Sequence, residues 1–381
     1  MPRRGNSLQN NLKPARLRAG LTQGSLADQV GISRQAYSSL ESGSANPSTE
    51  VALRLAQVLQ ERVESLFYLP ERTPVNIEAE LVNHAASKPL NNDASRRARL
   101  FRVGQKMLAR QLTGSGNSRH VVIAAEGLII SAGVPKGRVT VQPFDPEEVE
   151  SPTLAMLGCD PAVGLLESGL RSRGVALVAG EESSSQSLMG LARGEAHIAG
   201  CHLLDDATGT YNTSWVRRIV PFPCVLVTFA SWQQGLILAY GNPKRVRGVA
   251  DLANPGLRLV NRQAGSGSRA LLDRALVGAN IPAAEVEGYE REEWGHLAVA
   301  AAVAANSADV GIGVKAAAVA MGLTFLPLEE ERYDLVIPEH FLSEGPVQVL
   351  LELLRHPVLH RRVESLGGYD TSNMGIQSSV G

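Results

Sequence analysis

Aromatic residues make up only 4% of this 381-residue sequence, so its cores must be built from Ala, Leu and Val rather than from stacked rings. Cysteine is scarcer still: Cys159, Cys201 and Cys224 have no paired spacing. That excludes a disulfide framework and fits a reducing cytoplasm. No run of 18 apolar residues is present, so no membrane span is expected. The first residues, MPRRGNSLQNN, carry basic side chains with no apolar stretch behind them, which is not the pattern of a secretory signal. Neither a nucleophile elbow nor a Ser/His/Asp set stands out, so no catalytic residue is assigned.

What is present is an ordinary globular composition, 44% hydrophobic and 20% charged, over a length that predicts two or three domains. The net charge of −1 hides an asymmetry. Residues 1–72 hold nine Lys/Arg against six Asp/Glu, and the remainder holds 28 against 32. The basic excess therefore belongs to the N-terminal part. It is small enough to favour binding of a polyanion through two copies rather than one.

Residues 22–43, TQGSLADQVGISRQAYSSLESG, read as two short helices around a tight turn. Thr22 is placed to cap the first, Leu26 and Val30 share one face of it, and Gly31 ends it. Ile32 tucks under the turn, and Ser33 caps the second helix, residues 34–42, which Gly43 stops. That helix is expected to bury Ala36, Tyr37 and Leu40 and to turn Arg34, Gln35, Ser38 and Ser39 outward. Arg pairs bidentately with guanine and Gln with adenine in the major groove. The same outward row alone is equally a solvated polar face. Helical apolar periodicity in residues 11–19 and 48–59 decides for a compact bundle of about five helices.

These residues, with Leu17, Arg18, Gly20, Leu21, Gln23, Ala27, Glu41 and Pro47, resemble the lambda-repressor-type helix-turn-helix, the xenobiotic-response-element family, over roughly residues 8–70. The resemblance implies binding of double-stranded operator DNA, usually by a dimer. It places Arg34, Gln35 and Ser39 at base-reading positions, beside Ser33 and Ser38, and Gln23 at a phosphate contact. Gly24 and Ser25 depart from the family, which more often has a charged helix former there.

Residues 1–7 read as a loose basic arm and 69–74, with two prolines, as a hinge. Period-two alternation then predicts strands at 75–81, 99–103, 121–124, 128–131 and 139–141, with a turn or loop at 114–118. The basic run Arg96, Arg97, Arg99 and Arg102 reads as a solvated edge that discourages strand pairing, with DNA contact as the other reading. From Pro152 on, short apolar runs ending in Gly or polar turns alternate with helices. Strands are predicted at 154–157, 175–179, 196–199, 225–229, 236–239, 257–260, 310–313, 325–328 and 335–337. Helices are predicted through Leu166 and Leu170 and over 186–193, 265–278, 295–305, 316–321 and 345–354, with 360–366 closing the chain. Such alternation gives parallel strands with helices on both faces, here in two lobes.

In folds of this kind ligands bind beyond the carboxyl ends of the strands. Two Ser-rich helix starts lie there. One holds Ser184 and Ser185; the other holds Arg262, Gly265, Ser266, Gly267, Ser268 and Arg269. Free backbone N–H groups and the helix dipole favour an anion at such ends, and Arg suits a carboxylate or oxyanion. Helix capping by Ser competes with this reading, as does pairing of the arginines with Glu290, Glu292 or Glu293. The glycine spacing is not that of a nucleotide P-loop. Cys159, Asp160, Cys201, His202 and His296 also sit at strand ends or helix starts. No two have metal-motif spacing and buried thiols usually just pack, so no metal site is assigned.

The strings Gly158-Cys159-Asp160-Pro161, residues 191–200, His202-Leu203-Leu204-Asp205, Asn261-Arg262, Gly265-Ser266-Gly267 and Gly367-Gly368-Tyr369-Asp370 resemble, across roughly residues 75–381, a cytoplasmic family. Its members fuse a helix-turn-helix to a periplasmic-binding-protein-like domain of the molybdate-binding sort. Related domains are attached to molybdopterin-biosynthesis proteins. Gly158-Cys159-Asp160 departs from the serine usual in oxyanion receptors. The resemblance implies a multidomain chain: an all-α helix-turn-helix bundle over 1–72, a small β-rich connector over 73–150 and a two-lobed α/β periplasmic-binding-protein-like domain over 151–381. It further implies a homodimeric, non-enzymatic, ligand-responsive transcriptional regulator sensing molybdate, tungstate or a molybdenum-cofactor precursor. Two other readings stay open. One is an enzyme or ligand carrier of molybdenum-cofactor biosynthesis, the other a DNA-binding regulator whose clamshell only dimerises.

Overall fold

The structure, a computed structural model, describes residues 8–68, 75–82, 96–112, 125–132, 137–149, 151–205 and 207–380. The arm at 1–7, the hinge at 69–74, the strand at 121–124 and the loop at 114–118 lie outside the described residues. The chain divides into two compact units, Met1–Pro74 and Val75–Gly381.

In the first unit, helices α1 (Leu12–Arg18), α2 (Gln23–Val30), α3 (Arg34–Glu41), α4 (Thr49–Leu59) and α5 (Val63–Leu66) enclose Leu12, Leu26, Val30, Tyr37, Leu55 and Leu66. Each fully buried Leu contributes about 1.5–3 kcal/mol. Strand β1 (Gln9–Asn10) pairs antiparallel with β2 (Phe67–Tyr68) and ties the two ends of the bundle together. The caps are those expected. Thr22 Oγ1 accepts from Ser25 N–H at 3.1 Å and Ser33 Oγ from Ala36 N–H at 3.1 Å. Gly31 holds φ +80°, the left-handed stop of α2. Ala36 is exposed, contrary to expectation. The buried stripe of α3 runs through Tyr37 and Leu40, and Ala36 lies at its border, about 100° from Tyr37 and about 40° from Leu40.

The second unit begins with a closed barrel of β3 (Ile77–Leu81), β4 (Arg97–Val103), β5 (Lys106–Gln111), β6 (Gly127–Ala132) and β7 (Arg138–Pro143), in the order β3-β5-β4-β6-β7. Strand β5 was not expected. Its sequence KMLARQ lacks β-branched residues, but Gly104, at φ +55°, makes the tight turn that pairs it with β4. Strand β4 pairs with β5 over Ala98–Val103 and with β6 at Arg97 and Ala98, inside a closed barrel, so it is not the edge strand of an open sheet. Arg99 instead donates to Glu126 Oε1 at 3.0 Å. Phe101, Val103 and Leu108 pack into the same core as Leu154, Met156 and Val178, which seats the barrel on the α/β body. Short helix α6 (Pro146–Val149) leads out of it.

The body carries β8 (Thr153–Leu157), α7 (Val163–Arg171), β9 (Ala176–Gly180), α8 (Ser184–Ala192), β10 (Ile198–Cys201), the pair β11 (Leu204–Asp205) and β12 (Thr210–Tyr211), and α9 (Thr213–Ile219). Then come β13 (Cys224–Leu238), β14 (Leu259–Arg262), α10 (Gly267–Gly278), β15 (Glu292–Glu293), α11 (His296–Ala304), β16 (Val310–Val314), α12 (Lys315–Ala320) and β17 (Thr324–Pro338). Helices α13 (Gly345–Leu354) and α14 (Pro357–Glu364) precede β18 (Tyr369–Asp370) and β19 (Gln377–Val380). The sheet order is β15-β14-β16-β13-β17-β10-β8-β9, with β18 and β19 on β13.

Two expectations are corrected here. The runs 225–229 and 236–239 are one strand of 15 residues, β13, and 325–328 and 335–337 are likewise one strand of 15 residues, β17. The polar stretches between the apolar runs read as turns, yet they stay in an antiparallel ladder that crosses from lobe to lobe. One lobe contains β8, β9 and β10 beside the Asp334–Val336 part of β17. The other contains β14, β15 and β16 beside the Gln234–Leu238 part of β13. The chain also does not close on a helix, because β18 and β19 return to pair with β13.

Candidate functional site

The first candidate surface is α3 of the helical bundle. Arg34, Gln35 and Ser38 are exposed and Ser39 half-buried, so the outward row exists as the periodicity predicts. Ser33 sits before it as the helix cap, its oxygen occupied by Ala36 N–H. Gln23 is half-buried and its amide donates to Glu41 Oε1 at 3.1 Å. Glu41 also takes Arg16 through two bonds, Nε at 2.8 Å and Nη2 at 3.1 Å. Those bonds hold the Glu41 carboxyl down to about 2, against the opposing effect of its own burial. One carboxylate thereby fixes α1, α2 and α3 to each other and sets the pose of the outward row.

The second candidate site is the cleft between the lobes of the α/β body. Cys159 follows β8, His202 follows β10, Arg262 ends β14 and His296 begins α11. All four lie at the carboxyl ends of strands or just beyond, where such sheets open to ligands. The crossing strands add Trp232 and Gln234 from β13 and Glu331 and Tyr333 from β17. All eight are buried, none more than 6% exposed. The Trp232 ring centroid lies 5.0 Å from His202, 5.5 Å from His296 and 4.8 Å from Tyr333. Glycines make room for this packing. A Cβ at Gly200 would lie 1.8 Å from the Tyr333 hydroxyl, and one at Gly267 would lie 2.4 Å from the His202 ring.

The polar atoms here are only partly paired. Glu331 Oε2 meets His202 Nδ1 at 2.7 Å and accepts from Trp232 Nε1 at 3.4 Å. Ser268 Oγ donates to Gln234 Oε1 at 3.0 Å. Arg262 donates through Nε to Gln263 Oε1 at 2.9 Å, but among the described residues neither of its Nη atoms has a hydrogen-bond partner. Buried and unpartnered as well are His202 Nε2, His296 Nδ1, Gln234 Nε2 and Ser187 Oγ. Most buried polar groups find partners, and the orphaned atoms of Arg262, His202, His296 and Gln234 make this cleft an exception.

The charges are mutually adjusted. Burial alone would lower the His202 imidazolium and raise the Cys159 thiol. Glu331 and the thiol carry His202 up to about 9 instead, and His202 with Arg262 holds the Cys159 thiol below its ordinary value. Burial, and then the charges of Arg262 and His202, keep His296 neutral far below its usual range. Burial raises Asp160 to about 6 although its Oδ1 accepts from Ala162 N–H at 2.6 Å and from the Tyr369 hydroxyl at 2.7 Å.

The residues expected to hold a ligand divide into two groups. Ser266 Oγ caps α10 by accepting from Arg269 N–H at 3.2 Å, and Ser184 Oγ accepts from His202 N–H at 3.3 Å. Ser185 Oγ donates to Gly265 O at 3.3 Å, joining the two helix starts across the cleft. Arg269 pairs with Glu292 Oε1 at 3.0 Å and lies 4.1 Å over the Tyr289 ring, so the pairing that competed with the anion reading is present. The structure leaves Arg262 as the unpartnered arginine of this segment. It also gathers Cys159, His202 and His296, whose ligand atoms all lie within 4.8 Å of one another. Cys201 stands apart, packed with Leu188, Leu191 and Val336.

An α-helical head with an outward polar helix and a body with a cleft crossed by two strands together define a helix-turn-helix unit joined to a two-lobed ligand-binding fold. Residues 12–66 match the helix-turn-helix model and residues 168–355 match the PBP superfamily domain. The chain belongs, through its head, to the family of HTH-type transcriptional regulators, and that head is fused to a periplasmic-binding-protein-like domain. An uncharacterized HTH-type transcriptional regulator of Methanothermobacter thermautotrophicus is 41% identical over 61 residues, 16% of this chain and 88% of that one. The uncharacterized protein YvgK of Bacillus subtilis is 34% identical over 195 residues, 51% of this chain, and this chain spans 63% of that relative's length. A putative phosphate ABC transporter substrate-binding protein from Clostridium perfringens, solved with bound phosphate, is 13% identical, covers 55% of this chain and 97% of its own, and has a TM-score of 0.43.

Proposed function

We propose that this chain is a cytoplasmic, ligand-responsive transcription regulator. Its head binds operator DNA as part of a homodimer, with Arg34, Gln35 and Ser39 reading bases and half-sites about one helical turn apart. The cleft takes a small oxyanion, molybdate or tungstate being the ligands to try first. The observation that carries the anion reading is Arg262: fully buried, with both Nη atoms unpartnered. A guanidinium in that state needs an acceptor, and a tetrahedral oxyanion supplies oxygens at the right spacing. The Ser-capped starts of α8 and α10 add N–H groups and favourable dipoles. The ligand changes DNA affinity only by its preference for one lobe arrangement over another. A 100-fold preference corresponds to about 2.7 kcal/mol of coupling.

The test has two arms. Operator selection with the full chain should recover a two-fold site that Arg34→Ala with Gln35→Ala no longer binds. Thermal unfolding in chloride buffer, with molybdate, tungstate, sulfate or phosphate added, should show stabilisation by at least one of them. Four flat responses would end the oxyanion reading while leaving the DNA reading to stand or fall on the first arm.

A further inference from the structure

We infer that Cys159, His202 and His296 form a binding site for a thiophilic d10 cation, with Zn2+ as the reference ion. This goes beyond the anion reading and rests on a different set of residues. The three ligand atoms, from β8's loop, β10's end and the first turn of α11, all lie within 4.8 Å of one another. Cys159 Sγ is 3.8 Å from His296 Nε2. A tetrahedral zinc with about 2.3 Å to sulfur and about 2.0–2.1 Å to nitrogen separates its ligand atoms by about 3.4–3.6 Å. Contraction by side-chain rotation of roughly 1 Å or less therefore closes the set around an ion.

Three further observations point the same way. First, His202 Nε2 is buried without a partner while its Nδ1 is held by Glu331 Oε2 at 2.7 Å. A carboxylate behind one ring nitrogen is what orients a histidine to ligate through the other. Second, Glu331 is itself fixed by Trp232 Nε1 at 3.4 Å, and Trp232 packs against both histidine rings. Third, one thiolate and two imidazoles make the three-ligand set of an open site, with a fourth position left for an exogenous group. Arg262, which ends β14 in the same cleft, would make that fourth ligand an anionic one. The three ligands come from both lobes, since β8 and β10 belong to one and α11 to the other. An ion bound here thus joins the lobes.

The experiment uses the full chain, reduced, freed of metal by chelation and titrated anaerobically with Co2+ in chloride buffer containing no oxyanion. One equivalent should bind, with thiolate-to-cobalt charge-transfer absorption in the near ultraviolet and visible bands of tetrahedral strength, and Zn2+ should displace it. Cys159→Ser should abolish the charge-transfer band, whereas Cys201→Ser should keep it. Glu331→Gln should weaken Zn2+ binding by about 10–100-fold, the usual cost of removing a carboxylate behind a ligating histidine. A wild-type chain that binds no cobalt at the site, or a charge-transfer band that survives Cys159→Ser, overturns the inference. Should Cys159→Ser fail to fold, the wild-type spectrum and stoichiometry together with Glu331→Gln still decide it. Because no oxyanion is present, failure here leaves the anion reading untouched, and the oxyanion screen in the presence of chelator tests that reading separately.

Discussion

Replacing Arg262 by Met should make the ligand-free protein no less stable, and this inverts what a structural arginine does. The side chain is 0% exposed. Its single hydrogen bond, Nε to Gln263 Oε1, contributes about 1 kcal/mol. Each buried unpartnered Nη group costs about 1–3 kcal/mol. Met keeps much of the length of the side chain and needs no partner. The Cys159 thiol can then stay protonated, so no charge is left alone. Relief of two orphaned Nη groups outweighs the loss of one bond, so the variant is expected to be at least as stable as wild type. With an oxyanion at 100 times its dissociation constant the difference should move by about 2.7 kcal/mol towards wild type, because wild type gains that much and the variant gains nothing. At about 2 °C per kcal/mol or somewhat less for a unit as large as Val75–Gly381, that movement is readable. Scanning calorimetry of the full chain, following the transition of the α/β unit separately from that of the head, measures both halves. A drop of about 2 kcal/mol or more in the ligand-free variant, the cost of an ordinary core defect, would refute the reasoning.

Other outcomes follow from the same geometry. Arg34→Ala with Gln35→Ala should remove operator binding and leave head stability within about 0.5 kcal/mol, since both side chains are exposed and surface changes are usually that small; gel shift and urea unfolding check the two halves. Glu41→Gln should cost the head about 2 kcal/mol, because it breaks the nearly buried, two-bond pair with Arg16 and leaves that guanidinium short of its counter-charge. Glu41 is lowered from 4.5 to about 2, so its contribution is complete above the unfolded value and is lost as pH falls from about 4.5 towards 2. Acid unfolding of the wild-type head should therefore be steeper in that window than that of the variant. Gly200→Ala should destabilise the α/β unit by about 1–3 kcal/mol, because the new Cβ meets a rigid phenol 1.8 Å away; equal melting of variant and wild type would contradict the packing described for Tyr333.

The head was readable almost residue by residue. Its signals are local: Thr22 and Ser33 as caps, Gly31 as stop, Tyr37 and Leu40 one turn apart. The Arg16–Glu41–Gln23 clamp was not, because its members lie on three different helices. Alternation of strands and helices disclosed the α/β body, but β13 and β17 were each read as two strands. Gln233-Gln234 and Glu329-Glu330-Glu331 look like turn chemistry when only neighbours in sequence are considered. Their backbones are paired by strands from elsewhere in the chain, and two of them, Gln234 and Glu331, are buried in the cleft. The same non-local assembly explains why Cys159, His202 and His296 carried no spacing signal. Each is an ordinary residue just past a strand, and only the crossing of the lobes makes them neighbours.

The two crossing strands have a bearing on how the body is made and how it can be divided. Strand β13 enters the second lobe and β17 leaves it, so the segment between them, with β14, β15 and β16, is an insertion within the first lobe. No single cut in the backbone releases either lobe whole. During synthesis β13 has no β17 beside it until the entire insertion has emerged, and the closing of that long loop must precede the reward of pairing. Pairing of β17 with β13 then contributes to both lobes together. A split or permuted form that respects this order would reopen the chain between β13 and β14 or between β16 and β17, never within the crossing itself.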